Sequence, residues 1–416
     1  MRQAVRVSSA IPEPDELVGG AAAKVRDRWP RAKTALIAGY VFFLPIQLPL
    51  GPDRRLAISD FFILAYLLAT AFRIRRLGEA WSSWYAAMLA VMGMGLFVAL
   101  LRTGTVGPVV ITQKALGLVF LMVTVACLVD FMSNLSRICW VIDVFIAGVA
   151  LNVAVALVGL MIQQDDPTRL EGINYLGVRL SGFVIDPNAF GGLIACALML
   201  HLFAGRATPF RLRSPVRQML TGLLGIGLVL TFSRSAWIAA VLGILVAVST
   251  AGRSARRVVL PVILTLGVAV PILASRFVPD LPQLANRQDQ VDSRVSIIGS
   301  SLSEYSQSPI FGIGLDGYIQ RHGVIIHNTL LWFLCEMGII GLVVLLGFLL
   351  SFAARLIRIA QESTELVRAT ALSILAAHAA MLGLSFGIEA LYQRQWWLLF
   401  AAGAALGALR RGNRYE

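Results

Sequence analysis

Long apolar runs joined by short basic connections constrain this chain more than any other feature. They lie near 34–50, 56–72, 81–101, 109–130, 138–162 and 183–204, then near 218–232, 236–250, 257–275, 326–352, 369–386 and 395–410. A helix that crosses the hydrocarbon of a bilayer needs about 20 mostly apolar residues, with roughly 17–25 tolerated. Lipid offers the backbone no hydrogen-bond partners, so each such segment has to satisfy its own amides, which a helix does. The expected fold is therefore an all-α polytopic membrane protein of about 12 transmembrane helices. Composition agrees: 57% of residues are hydrophobic and only 14% charged, against about a quarter charged in a soluble domain.

Residues 1–33 are polar and basic and lack the apolar core of a signal peptide, so a cytoplasmic N-terminal tail is expected there. The helical bundle is expected over 34–410 and a second cytoplasmic tail over 411–416. Cys127, Cys139, Cys196 and Cys335 lie in or beside apolar runs without metal spacing and read as small hydrophobic residues.

The formal net charge of +13 is explained by orientation rather than by nucleic acid. With the N-terminus inside, the inner connections carry twenty-four lysines and arginines and the outer ones eleven, the bias expected of cytoplasmic loops. Both termini are then cytoplasmic. One outer connection, 276–325, is too long for a simple turn. It is expected to be partly helical: Asp292 suits a cap, and Val295, Ile298, Leu302 and Tyr305 recur on one face until Pro309.

Several cations fall at or near the outer ends of spans: Arg179, Arg234, Arg294, Arg321 and His327. Any one arginine so placed is accounted for by snorkelling to phospholipid headgroups. Several facing one side, with few acids nearby, point to a multiply anionic ligand, and diphosphate matches the planar fork of donors on arginine. His327 opens the span 326–352 next to Asn328; it reads either as a solvated interfacial histidine or as a general base near neutral pH. His322 reads as a loop residue, and His201 and His378 as partners of neighbouring helices. Asp186-Pro187-Asn188 suits a helix start, with Asp186 free to orient Arg179. Lys114 and Glu336 are charges inside apolar runs, each a functional candidate or half of a structural pair. No GxxxxGK[ST] loop is present, which argues against direct use of ATP. No carboxylate or His/Cys set has metal-ligand spacing, so no metal and no cofactor are expected.

Four ordered stretches carry a family resemblance. They are Arg179-Leu180-Ser181-Gly182 with Asp186-Pro187-Asn188; Thr231-Phe232-Ser233-Arg234-Ser235; Ser293-Arg294 with Ser308-Pro309-Ile310-Phe311-Gly312-Ile313-Gly314; and His327-Asn328 with Glu336-Met337-Gly338. In this order, across 179–345, they resemble the O-antigen ligase/polymerase superfamily of bacterial envelope glycosyltransferases. Relatives carry a tryptophan shortly after the loop arginine, where this chain has Ile297 and Ile298.

The resemblance implies a GT-C-like bundle in the inner membrane with its active site facing the periplasm. It implies transfer of a glycan from undecaprenyl diphosphate to the lipid A core, with Arg179, Arg234 and Arg294 on the diphosphate and His327 as base. Asp186, Asn188, Arg321, Asn328, Glu336 and Lys114 are then supporting residues. An O-antigen or exopolysaccharide polymerase is the nearest alternative, and a peptidoglycan-type polymerase lacks its usual acidic loop residue here. A lipid-linked sugar transporter or flippase is the alternative of another class, though no half-to-half repeat is visible.

Overall fold

The structure, a computed structural model, describes residues 31–49, 55–70, 82–107, 110–162, 179–184, 186–204, 214–250 and 288–411. It is helical apart from one small hairpin. In chain order come α1 (Arg31–Phe42), α2 (Ile58–Ala69), α3 (Ser83–Thr103), a π-helical turn (Val110–Ala115) running into α4 (Leu116–Phe131), and α5 (Leu135–Ile162). Then follow α6 (Pro187–Ala204), α7 (Ser214–Leu230), α8 (Arg234–Thr250), α9 (Gln288–Gln307), α10 (Gly317–His322), α11 (Thr329–Gln361), α12 (Glu365–Ser385) and α13 (Arg394–Arg411). Eleven of the expected runs thus contain a helix; the run 257–275 and most of both tails lie outside the described residues.

Among the described residues, five helical stretches are long and apolar enough to cross a membrane: Ser83–Thr103, Ile111–Phe131, Leu135–Ile162, Thr329–Gln361 and Glu365–Ser385. Four shorter apolar helices accompany them. The run 34–50 is cut short because Pro45 and Pro49 supply no amide and cannot continue a helix. There the chain forms β1 (Gln47–Pro49), antiparallel to β2 (Arg55–Ala57).

The core is built where small residues let backbones approach. α12 buries Ala376, Ala377 and Ala380, and α13 buries Ala401, Ala402 and Ala405; between them Trp396 Nε1 donates to His378 Nδ1 at 2.9 Å. Gly243 of α8 lies against the Ala376 carbonyl. Without a hydrophobic force between helices in lipid, such close packing is what holds them together.

Ends that alternate crossing of a bilayer would bring together are in contact. Arg394, opening α13, grips Asp60 of α2 through two bonds of 2.8 and 2.6 Å. Lys114 pairs with Glu389 of the α12–α13 connection, and Arg410 pairs with Glu362 at the opposite end.

Helix α11 is broken at Gly338, whose φ of 66° and ψ of −166° leave the helical region. The break frees backbone groups, and the turn after α9 fills them. Ile313 N donates to Cys335 O and Gly314 N to Glu336 O, both at 3.0 Å. Ile339 N donates to Pro309 O at 2.9 Å. A Cβ at Gly338 would collide with the Ile310 carbonyl, and one at Gly312 with the Glu336 backbone, so glycine is the residue these positions accept. The stretch 309–316 is thus an ordered plug.

Candidate functional site

The helix expected in the long connection is present as α9, beginning before Asp292 and ending at Gln307. Its packed face differs from the apolar stripe. Ile297, Ser301 and Glu304 turn toward the bundle, whereas Val295, Ile298 and Leu302 are 62%, 45% and 46% exposed. A clasp fixes this rotation: Tyr318 Oη lies 2.6 Å from Ser300 Oγ, His322 Nε2 lies 3.1 Å from Glu304, and Arg321 pairs with the same carboxylate. His322 and Arg321, read as loop and supporting residues, are in the structure the latch between α9 and α10.

That rotation sets Arg294 beside His327. The two share a cleft with Ile297, Ile298, Ile326, Asn328, Leu331 and Phe386. Asn328 caps α11, accepting from Leu331 N at 2.9 Å, and its Nδ2 donates to Phe386 O at 3.2 Å. His327 makes no hydrogen bond among the described residues, so its ring nitrogens are open to the cleft. Surrounding protein withdraws water from the imidazole and lowers its pKa below the ordinary 6.5; Arg294 lowers it further, while Asp186 and Glu389 oppose the shift. Burial disfavours the charged ring, and the guanidinium repels it.

The second motif is organised by Arg179. Its Nε donates to Thr231 O at 2.9 Å, and Nη2 donates to Phe232 O and Asn188 Oδ1, both at 3.2 Å. Ser233 Oγ donates to the same Asn188 oxygen at 2.9 Å, and Asp186 Oδ1 accepts from Asn188 N at 2.9 Å. Among the described residues, the side chain that bonds Arg179 is thus Asn188, which Asp186 braces in turn. The turn so braced contains Phe232 at φ 47°, a conformation costing about 1–3 kcal/mol unless its surroundings impose it. Arg234 follows as the first residue of α8. It is exposed and unpaired among the described residues, at the end of a helix whose free amides favour anions. No bond joins Arg234 to the Arg294–His327 cleft; the link is Asp186, which braces the one turn and acts electrostatically on His327.

Lys114 and Glu336 line a second cavity with Asp316, Trp332 and Glu389, and they do not pair with each other. Lys114 Nζ stands 4.5 Å from the Trp332 ring and 5.0 Å from the Tyr392 ring, paired with Glu389. Glu336 is buried and accepts from Trp332 Nε1 at 2.6 Å, Asp316 N at 3.0 Å and Tyr318 N at 3.4 Å. It anchors the α10 clasp and, through Tyr318, the position of α9. Sequence reading missed Glu389, Tyr318 and Asn188's hold on Arg179. Glu389 left one signal, as the only acid in a short connection between two apolar runs; Tyr318 left none.

The fold and the site define a class: a helical membrane protein with Arg294 beside an imidazole that has no hydrogen bond among the described residues. Residues 219–346, the segment that holds Arg234, Arg294 and His327, match the family model described as O-Antigen ligase. No protein of curated function matches the chain.

Proposed function

We propose that this protein is an O-antigen ligase, a glycosyltransferase that moves a glycan from undecaprenyl diphosphate to a sugar of the lipid A core. The observation that carries the reading is the cleft itself, where Arg294 stands beside an imidazole with open ring nitrogens and apolar walls. Diphosphate is a good leaving group once cations absorb its charge. The acceptor hydroxyl oxygen attacks the anomeric carbon, and the bond from that carbon to the diphosphate oxygen breaks. The electron pair leaves with undecaprenyl diphosphate, held by Arg294 and Arg234, and the hydroxyl proton passes to His327. One displacement inverts the anomeric centre. Arg179 supports this as the brace of the Arg234 turn as well as a further cation near the diphosphate.

The charge bias of the connections supports cytoplasmic termini in the bacterial inner membrane, with the cleft facing the periplasm. About 12 spans suit this arrangement.

The test uses purified protein, undecaprenyl-diphosphate-linked glycan and lipid A core, with EDTA and without nucleotide. The expected product is glycan on the core, reduced about 10²–10⁴-fold in His327→Ala and clearly weakened in Arg234→Ala. Lengthening of the donor alone would make the protein a polymerase. A fully active, folded His327→Ala would remove the base. No turnover of either kind would put a transporter of lipid-linked sugar first.

A further inference from the structure

Helix α9 does not hang free above the bundle. Arg294, Ile297 and Ile298 share a cleft with Asn328 and Leu331, Ser300 reaches Tyr318 at the level of Glu336, and Pro309 bonds Ile339. Residues 294–309 therefore descend alongside 328–339, in parallel with the outer part of α11. The top of that descent is level with the outer end of α12, since Asn328 bonds the Phe386 carbonyl. α12 itself is a helix of 21 residues, about 31 Å long at 1.5 Å per residue and so about the thickness of the hydrocarbon.

Val295, Ile298 and Leu302 thus sit exposed beside the stretch 328–338 of α11, from the outer end of α12 inward and above the exposed Ile339 and Val343 of α11. Phe386, 57% exposed, closes the gap between stripe and bundle at the cleft. On the far side of α9 the exposed row is polar, with Asp292, Ser296 and Ser303. One row apolar and one row polar is the pattern of a helix with hydrocarbon on one side only.

We propose that the Val295–Ile298–Leu302 stripe is seated in the hydrocarbon of the outer leaflet, making α9 a membrane-embedded wall of the site. Resting on the ligase reading, the consequence is that a lipid-linked donor approaches sideways. Its chain stays in the leaflet against the stripe while its diphosphate reaches Arg294 at the boundary.

Single cysteines introduced into the full chain at 295, 298, 302, 296 and 303 and labelled with NBD read the contact directly. The protein is placed in phosphatidylethanolamine/phosphatidylglycerol vesicles, with doxyl lipid or aqueous iodide as quencher. The expected result is doxyl quenching at 298 and 302, and iodide quenching at 296 and 303. Equal iodide quenching at all five positions would overturn lipid seating, whatever the protein catalyses. The second arm compares Leu302→Ser, outside the cleft, with wild type on undecaprenyl-linked donor and on a donor carried by a short, water-soluble prenyl diphosphate. Losing the leucine's contact with the donor chain raises KM for the long donor about tenfold and leaves the short one unchanged. Equal effects on both donors overturn the sideways approach, and no turnover by wild type overturns the ligase reading while the quenching result stands.

Discussion

At the scale of single residues, the decisive property of His327 is that its neighbours keep it neutral. Partial withdrawal from water comes first and the Arg294 charge second, both lowering the pKa below 6.5. A base has to be unprotonated to accept the hydroxyl proton, so activity falls as pH drops through this lowered value. The acid limb of the kcat/KM profile is therefore expected below pH 6.5. Arg294→Gln removes a cation that repels the imidazolium, so the limb moves to higher pH; a limb that stays in place would show that Arg294 is not the charge His327 feels. Arg179 acts differently, because its donors are aimed at two carbonyls and Asn188. Lysine lacks that fork, so Arg179→Lys is expected to lower thermal stability and activity together, by about 1–3 kcal/mol for each carbonyl left unsatisfied. Wild-type stability with a selective rise in donor KM would instead make Arg179 a direct diphosphate ligand.

At the scale of elements, the site depends on a break in one helix. The plug 309–316 enters α11 at Gly338, and from there Glu336 and Tyr318 hold α10 and α9. Gly338→Ala would force a side chain into a backbone conformation open essentially to glycine alone, costing about 1–3 kcal/mol before its collision with Ile310 O. The expected outcome is a lowered unfolding midpoint in detergent, and a midpoint equal to wild type would contradict the plug. Tyr318→Phe keeps the ring and loses only the hydroxyl's contacts with Ser300 and the Ile297 carbonyl, so the fold is expected to persist while donor KM rises through Arg294. The broken helix was not legible beforehand, because 326–352 reads as one continuous apolar run. The rotation of α9 was not legible either. Periodicity identifies an apolar face but cannot say whether protein or lipid covers it, and here the polar Ser301 and Glu304 are the ones turned inward.

At the scale of the molecule, the ends of the bundle are sorted by chemistry. One end holds the braced arginine turn, the His327 cleft and the Lys114–Glu389 pair; the other holds Arg410 with Glu362. A fluorescent reporter fused after residue 416 is expected to mature inside the cell, and Gly299→Cys to react with an impermeant maleimide added to spheroplasts. Labelling of Gly299→Cys only after lysis would invert the topology and put the site on the cytoplasmic side.

What the sequence determined by itself is the solvent, the helices and the cast of cations. These are local quantities: apolar runs of membrane length, the sign of the charge in each connection, and Arg234, Arg294 and His327 in order at the ends of runs. What only the tertiary structure decided is who stands next to whom. Lys114 meets Glu389 across 275 positions of sequence and Asp60 meets Arg394 across 334. Arg179 braces the Arg234 turn because Asn188 and two carbonyls face it. Pairings of this kind arise from how helices pack in three dimensions, and no spacing along a single chain records them.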